Sequence, residues 1–174
     1  FSGKCSMKLD LREIIEIPGA EATFSCELDT ELLAFPSVLG FEQPPHAEGR
    51  VVNTANVLTL VGEITAPMRC VCDRCGEEFT LDKRTELNVP LAVDLLDEEN
   101  PDIFPIEGDE LDLDEVLSTC FILDMDTKFL CREDCKGLCT RCGANLNRGK
   151  CGCGPEIDPR MAVLGQLLDT TEQE

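Results

Sequence analysis

Hydrophobic and polar residues change their rhythm several times along the chain, and each change predicts a different element. From Leu9 to Ile17 the apolar residues Leu9, Leu11, Ile14, Ile15 and Ile17 fit neither a two-residue nor a 3.6-residue period cleanly. The stretch reads as a short helix or a short strand, ended by Pro18-Gly19. Residues 22–28 alternate and predict a strand, whereas 36–49, with Pro44-Pro45 inside, predict a connection. From Arg50 to Arg69 the chain is rich in valine, threonine and leucine. Val57, Thr59, Val61 and Glu63 alternate there with Leu58, Leu60, Gly62 and Ile64, and Asn53 to Asn56 read as a hairpin turn. Alternation resumes over 77–96 with Phe79, Leu81, Leu87, Val89, Leu91, Val93 and Leu95. Two long strands joined by a turn over 70–76 make an antiparallel sheet the economical inference.

The rhythm then becomes helical. Leu113, Val116, Leu117, Cys120 and Phe121, followed by Ile122 or Leu123, recur at helix spacing, and Asp112 or Asp114 is placed to cap the start. Cys120 falls on this apolar stripe and reads as a core thiol. A closing helix over 158–168 is predicted from Asp158 as cap, Pro159 at the first helical position, and Met161, Leu164 and Leu168 as its buried face. Residues 97–110, acidic and holding two prolines, predict a solvated linker. Phe1 to Ser6 precede Met7 and are expected to be foreign to the natural chain, which would leave Cys5 without meaning. The expected fold class is therefore α+β. An antiparallel β-sheet body with a few helices occupies 1–125, and a cysteine-rich metal segment with a terminal helix occupies 126–174, packed on the body through a shared site.

Composition narrows the functions available. At 174 residues, 43% of them hydrophobic, the chain can bury about 70% of its unfolded surface without staples. Core aromatics come only from eight phenylalanines, since tryptophan and tyrosine are absent. No apolar run reaches the roughly 18 residues needed to span a bilayer, so a soluble, cytoplasmic protein without membrane contact is expected. Against 15 basic residues stand 35 acidic ones, a formal net charge of −20. Such a surface repels a phosphate backbone and complements a basic protein. His46 is the only histidine, expected to be solvent-exposed in its proline-flanked loop. No carboxylate is paired with a recognisable base, nucleophile or phosphate loop, so neither an enzyme nor a small-molecule substrate is expected.

The cysteines carry the chemistry. Eight of the twelve form four close pairs: Cys72 with Cys75, Cys131 with Cys135, Cys139 with Cys142, and Cys151 with Cys153. Two of these pairs read Cys-x-Arg-Cys-Gly, at 72–76 and 139–143. Two residues between ligands let backbone amides point at the sulfurs, and the glycine permits the left-handed turn that closes such a knuckle. Cysteines this close make poor disulfide partners but chelate one ion readily, and residues 1–30 hold no long apolar run preceded by basic residues. Eight thiolates suit two four-coordinate zinc ions in closed, structural sites. Short-loop closure favours Cys139, Cys142, Cys151 and Cys153 as one site, leaving Cys72, Cys75, Cys131 and Cys135 as the other. The competing division joins the two knuckles. Cys70 reads as a bystander. Seven basic residues against four acidic ones from Lys128 to Arg160 either offset the thiolate charge or form a small RNA patch. A thiol redox protein is a further alternative.

These motifs resemble the YceD family, described as large ribosomal RNA subunit accumulation proteins. The resemblance lies in residues 72–75 and in Cys131-Arg132-Glu133-Asp134-Cys135-Lys136-Gly137-Leu138-Cys139. It continues through Cys142-Gly143-Ala144-Asn145-Leu146-Asn147, Cys151-Gly152-Cys153 and Asp158-Pro159-Arg160, and covers most of the chain from about Gly49 onward. Cys70 and Met161 depart from the pattern. The resemblance implies a bacterial, cytoplasmic, non-enzymatic factor supporting the synthesis, stability or processing of large-subunit ribosomal RNA. Some relatives keep only the mid-chain pair, which implies that the first site is separable from the second. A ribosomal protein or pre-ribosomal particle is the expected partner.

Overall fold

The computed structural model of the protein describes residues 7–55, 57–92, 103–106 and 108–153. In chain order it contains β1 (Lys8–Asp10), α1 (Arg12–Glu16), β2 (Glu21–Glu27), β3 (Val38–Phe41), β4 (His46–Thr54) and β5 (Val57–Val71). These are followed by β6 (Glu78–Ala92), β7 (Phe104–Pro105), β8 (Glu110–Asp112) and α2 (Leu113–Leu123). A six-stranded sheet runs β2-β4-β5-β6-β7, with β3 also pairing β5, and β1 with β8 forms a separate two-stranded ribbon. All pairings are antiparallel except that of β6 with β7. The α+β architecture follows directly from the sequence rhythm. Leu58, Leu60, Ile64, Ala66, Met68 and Cys70 of β5 point inward, as do Leu87, Val89 and Leu91 of β6. The helix α2 lies against β1 and β6. It covers this face with Leu113, Val116, Leu117 and Phe121, and Phe121 meets Phe35 and Phe41 at ring-centroid distances of 6.2 and 6.4 Å.

Several details differ from the sequence rhythm. The stretch from Leu9 to Ile17 is neither a helix nor a strand alone but half of each, which explains its mixed period. The expected connection over 36–49 holds β3 and the first residues of β4. The strand β3 is only four residues long and its register shifts between Val38 and Gly40, too short and irregular for alternation to register. His46 consequently opens β4, half-buried, and does not sit exposed in a loop. Asn53 lies inside β4, not in the hairpin turn. Its buried amide donates to the carbonyls of Ile14 (2.7 Å) and Ile15 (3.1 Å), satisfying the open end of α1. In α2 the stripe stops at Phe121, with Ile122 and Leu123 facing solvent. Cys120 is half-buried against the core. Half of the expected solvated linker, 97–102 and 107, and the whole of the closing helix from Asp158 lie outside the described residues. The described half holds β7, the buried Ile106 and the first residue of β8, because these residues pair with β6 and β1.

Two features fix the sheet and its junction with the segment after α2. At the crossing of β4 and β5, Gly49 and Gly62 face each other, and a Cβ on either would collide with the opposite strand's carbonyl oxygen. At the far end, Asp124 stands at the negative end of the α2 dipole, where a carboxylate is unfavourable. The Lys83 ammonium offsets it at 3.2 Å from Asp124 and 3.3 Å from Asp126, and the Thr85 hydroxyl donates to Asp124 at 2.8 Å. The C-terminal end of α2 is thereby pinned to β6, which aims the following segment at the β5–β6 turn.

Candidate metal centres

The β5–β6 turn is the first knuckle. Its Cys72 carbonyl accepts from the Gly76 amide (2.8 Å), and Gly76 takes φ 70°, a left-handed conformation that costs glycine little. The second knuckle repeats this geometry: the Cys139 carbonyl accepts from the Gly143 amide (2.9 Å), with Gly143 at φ 71°. In each, the first cysteine sulfur receives the amides two and three residues later, from Arg74 and Cys75 or from Arg141 and Cys142. The common Cys-x-Arg-Cys-Gly sequence thus produces one local fold twice.

The structure gathers the eight paired cysteines into two groups, Cys72, Cys75, Cys131 and Cys135, and Cys139, Cys142, Cys151 and Cys153, each with its sulfurs within 4.8 Å of one another. In the first group, Cys72 lies 3.7 Å from Cys135 and Cys75 lies 3.7 Å from Cys131. A tetrahedral ion with metal–sulfur bonds of about 2.3 Å has sulfurs about 3.8 Å apart, so the group fits a four-thiolate ion. Neither quartet supplies a carboxylate, an imidazole or an open coordination position. Their surroundings differ: Cys72, Cys75 and Cys135 are buried against Phe79 and Leu130, whereas Cys142 is exposed and its three partners are half-buried. Cys70 sits in the main core, away from both groups.

Electrostatics within the groups favour a cation. Burial pushes the Cys72 thiol up, but the amides of Cys131, Cys75 and Arg74 outweigh it and hold the group down to about 6. Cys131 is pushed up to about 12, by burial first and then by the neighbouring thiols. In the second group the amides of Cys142 and Arg141 hold Cys139 to about 6, while the Cys142 thiol and burial push Cys153 up to about 12. At least one thiol in each group is held low and another is pushed high. A dication placed among four sulfurs offsets that upward push.

Around the sulfurs stand residues that cysteine spacing alone did not reveal. Asp73 accepts from the Ser37 hydroxyl and the Phe129 amide, both at 2.6 Å, while its own amide donates to the Phe129 carbonyl at 2.8 Å. This reciprocal pair docks the segment after α2 onto the first knuckle, two residues before Cys131. Arg74 donates to the Cys135 carbonyl (3.0 Å), and its own carbonyl accepts from Leu138 (3.1 Å). Asn147 donates to the Cys135 sulfur at 3.3 Å, which lowers that thiol's pKa ahead of every other influence. The position of Asp73 inside a knuckle and of Asn147 inside a matched motif were the signals available.

Elsewhere the described residues offer little chemistry. Ser25 Oγ and His46 Nε2 are 3.3 Å apart on neighbouring strands, with Ser25 exposed and His46 half-buried, and no further polar side chain is paired with them among the described residues. A shallow cavity formed by residues 30–44 has Glu42 and no other nucleophile, base or cationic group beside Thr30. No described helix is long and apolar enough to cross a membrane.

Comparison with known proteins gives the family. Residues 60–168 match the family described as large ribosomal RNA subunit accumulation protein YceD, a stretch that includes all eight paired cysteines. An Arabidopsis thaliana protein named large ribosomal RNA subunit accumulation protein YCED homolog 1, chloroplastic, is 29% identical over 155 residues, 71% of this chain and 48% of that protein. An uncharacterized protein of Mycobacterium leprae is 24% identical over 135 residues, 75% of this chain and 62% of its own length. A Zea mays protein with the same name as the Arabidopsis one is 38% identical over 53 residues, 30% of this chain and 18% of its own. The chain thus spans about half to three fifths of the length of the first two relatives. No solved structure matches it. With more than half of its length under the family match, the chain belongs to the YceD family.

Proposed function

We propose that the protein is a non-enzymatic, cytoplasmic factor that supports the synthesis, accumulation or processing of large-subunit ribosomal RNA, with a structural zinc ion in each cysteine quartet. The match of residues 60–168 to the YceD family carries this reading. Zinc is the ion favoured by four soft thiolates at tetrahedral spacing, and such closed sites serve folding, not catalysis. Cys72, Cys75, Cys131 and Cys135 would hold the first ion and join the 126–174 segment to the 1–125 body. Cys139, Cys142, Cys151 and Cys153 would hold the second within a local loop.

The same reading assigns the work to protein contacts. The net charge of −20 favours a basic ribosomal protein or a pre-ribosomal particle over naked RNA. The basic residues near the sulfurs are partly engaged internally: Arg148 pairs with Glu77 at 2.7 Å and Arg132 lies 3.8 Å from Asp134. Elemental analysis combined with native mass measurement tests the metal, and two zinc ions per chain are expected. Affinity capture tests the partner, with stronger recovery of ribosomal particles expected than of protein-free ribosomal RNA. Equal recovery of naked RNA, steeply salt-dependent and weakened by Arg141→Ala with Arg148→Ala, would replace this reading with direct RNA binding. A metal-free chain with redox-active thiols would replace it with thiol chemistry.

A further inference from the structure

The two quartets draw on different parts of the chain, and nothing in their ligand sets requires them to communicate. The loop over 143–150 makes the connection. It is tethered at both ends by ligands of the second quartet, Cys142 and Cys151, yet its side chains reach into the first. The Asn147 amide nitrogen donates to Cys135 Sγ at 3.3 Å, and its oxygen accepts from the Lys136 amide at 2.8 Å. Both ends of that side-chain amide are therefore engaged on the segment that supplies the first quartet. The loop is shaped locally by the Cys139 amide on the Ala144 carbonyl (2.8 Å) and the Leu146 amide on the Gly137 carbonyl (2.9 Å). Asn145 adds an antiparallel bridge with Leu138, and its side chain accepts from the Asn147 amide at 2.9 Å. Arg148 reaches across as well, to Glu77, but its side chain is 79% exposed and the pair is open to screening by salt.

We infer that Asn147 couples the two cysteine quartets, so that an ion held by the second tightens the first quartet's hold on its own. This inference rests on the reading that both quartets hold zinc. Closing Cys139, Cys142, Cys151 and Cys153 around an ion fixes both ends of the loop. A fixed loop holds the Asn147 donor against Cys135, where it stabilises a sulfur of a centre whose four thiolates leave it net negative. Donors to metal ligands of this kind change affinity by about 10–100-fold when removed. Because the coupling is a property of binding free energies, the first ion must tighten the second by the same factor.

The test uses the full chain titrated with zinc against a competing chelator, with stoichiometry established first. Cys151→Ser with Cys153→Ser disables the second quartet; Asn147→Ala removes the amide. Asn147→Asp keeps an acceptor for the Lys136 amide but loses the donor to sulfur, which separates that donor from a purely structural role. Wild type should bind two ions. Each of the three variants should weaken the first quartet about tenfold or more. Asn147→Ala added to the double cysteine variant should weaken it no further. A circular-dichroism spectrum unchanged from wild type shows that the body remains folded in each. First-quartet affinity within twofold of wild type in the double cysteine variant or in Asn147→Asp, with two ions bound by wild type, overturns the coupling alone. A wild-type chain that binds no zinc overturns both the coupling and the reading beneath it.

Discussion

The first quartet joins cysteines far apart in sequence, which makes its effect on stability calculable. Cys75 and Cys131 are 56 residues apart, and an ion shared between them closes that loop in the folded state only. An ion that binds the folded chain and not the unfolded one would stabilise it by about 4 kcal/mol with free zinc at about 1,000 times the dissociation constant. For a chain of this size each kcal/mol moves the melting temperature by about 2–4 °C, so losing the link should lower it by about 8–16 °C. Cys131→Ser with Cys135→Ser removes the tail's half of the site while leaving the knuckle turn intact. The second quartet makes a contrasting control. Cys142 and Cys151 are nine positions apart (151 − 142), and a loop that short closes on an ion in the unfolded chain too. Binding to both states cancels most of the effect on the equilibrium. Calorimetry of wild type, the Cys131/Cys135 variant and a Cys151→Ser/Cys153→Ser variant, all saturated with zinc, therefore has a definite expected order. The long-loop variant should melt far lower, and the short-loop variant should lose less than half as much. Equal losses, or a long-loop variant within 2 °C of wild type, would refute the idea that the first quartet links body and tail.

Further expectations follow from the body. Phe121 is fully buried against Phe35 and Phe41, so Phe121→Ala should cost about 3–5 kcal/mol in urea unfolding, and a loss under about 1 kcal/mol would contradict the packing described. Gly62→Ala places a methyl against the Glu48 carbonyl and Gly49 of the facing strand; spreading the strands should cost about 1–3 kcal/mol, read as a lower melting temperature and faster amide exchange along β4 and β5. Asp10 has a pKa held below the ordinary carboxylate value, chiefly by the Arg12 amide. A depressed folded-state pKa stabilises above the unfolded value and is lost as pH falls through the folded one. Asp10→Ala should therefore melt slightly below wild type near pH 7, with the gap closing below about pH 4; a gap that persists at pH 2.5 would assign the effect to packing.

How much of this was legible in the sequence depended on whether local pattern or distant contact decided the outcome. The β5–β6 hairpin was legible because each strand is 15 residues long, with enough alternation to fix which face is buried. The cap of α2 was legible because Asp112 acts within its own turn, accepting from the Glu115 amide at 3.3 Å. Strand β3 was not, since four residues around Gly40 carry no period and its pairing with Met68 to Cys70 is a tertiary event. The grouping of sulfurs followed from chain entropy, a property of spacing. The groups that hold those sulfurs in place did not. Asp73 works through Ser37 and Phe129, 36 and 56 residues away, and Asn147 works on a sulfur that its own loop does not supply.

The same contrast bears on why the two quartets are built so differently. In the proposed reading a filled site docks the tail, because the thiolates of Cys72, Cys75 and Cys135 without an ion would be charges buried against Phe79 and Leu130. A half-exposed site on a short loop carries no such penalty, and water can solvate its sulfurs when it is open. Loss of the second quartet is therefore more tolerable than loss of the first. Where the second quartet is present, its loop adds the Asn147 contact to a site already able to form. It acts as an adjustment to the first site's strength, not as a condition of the fold.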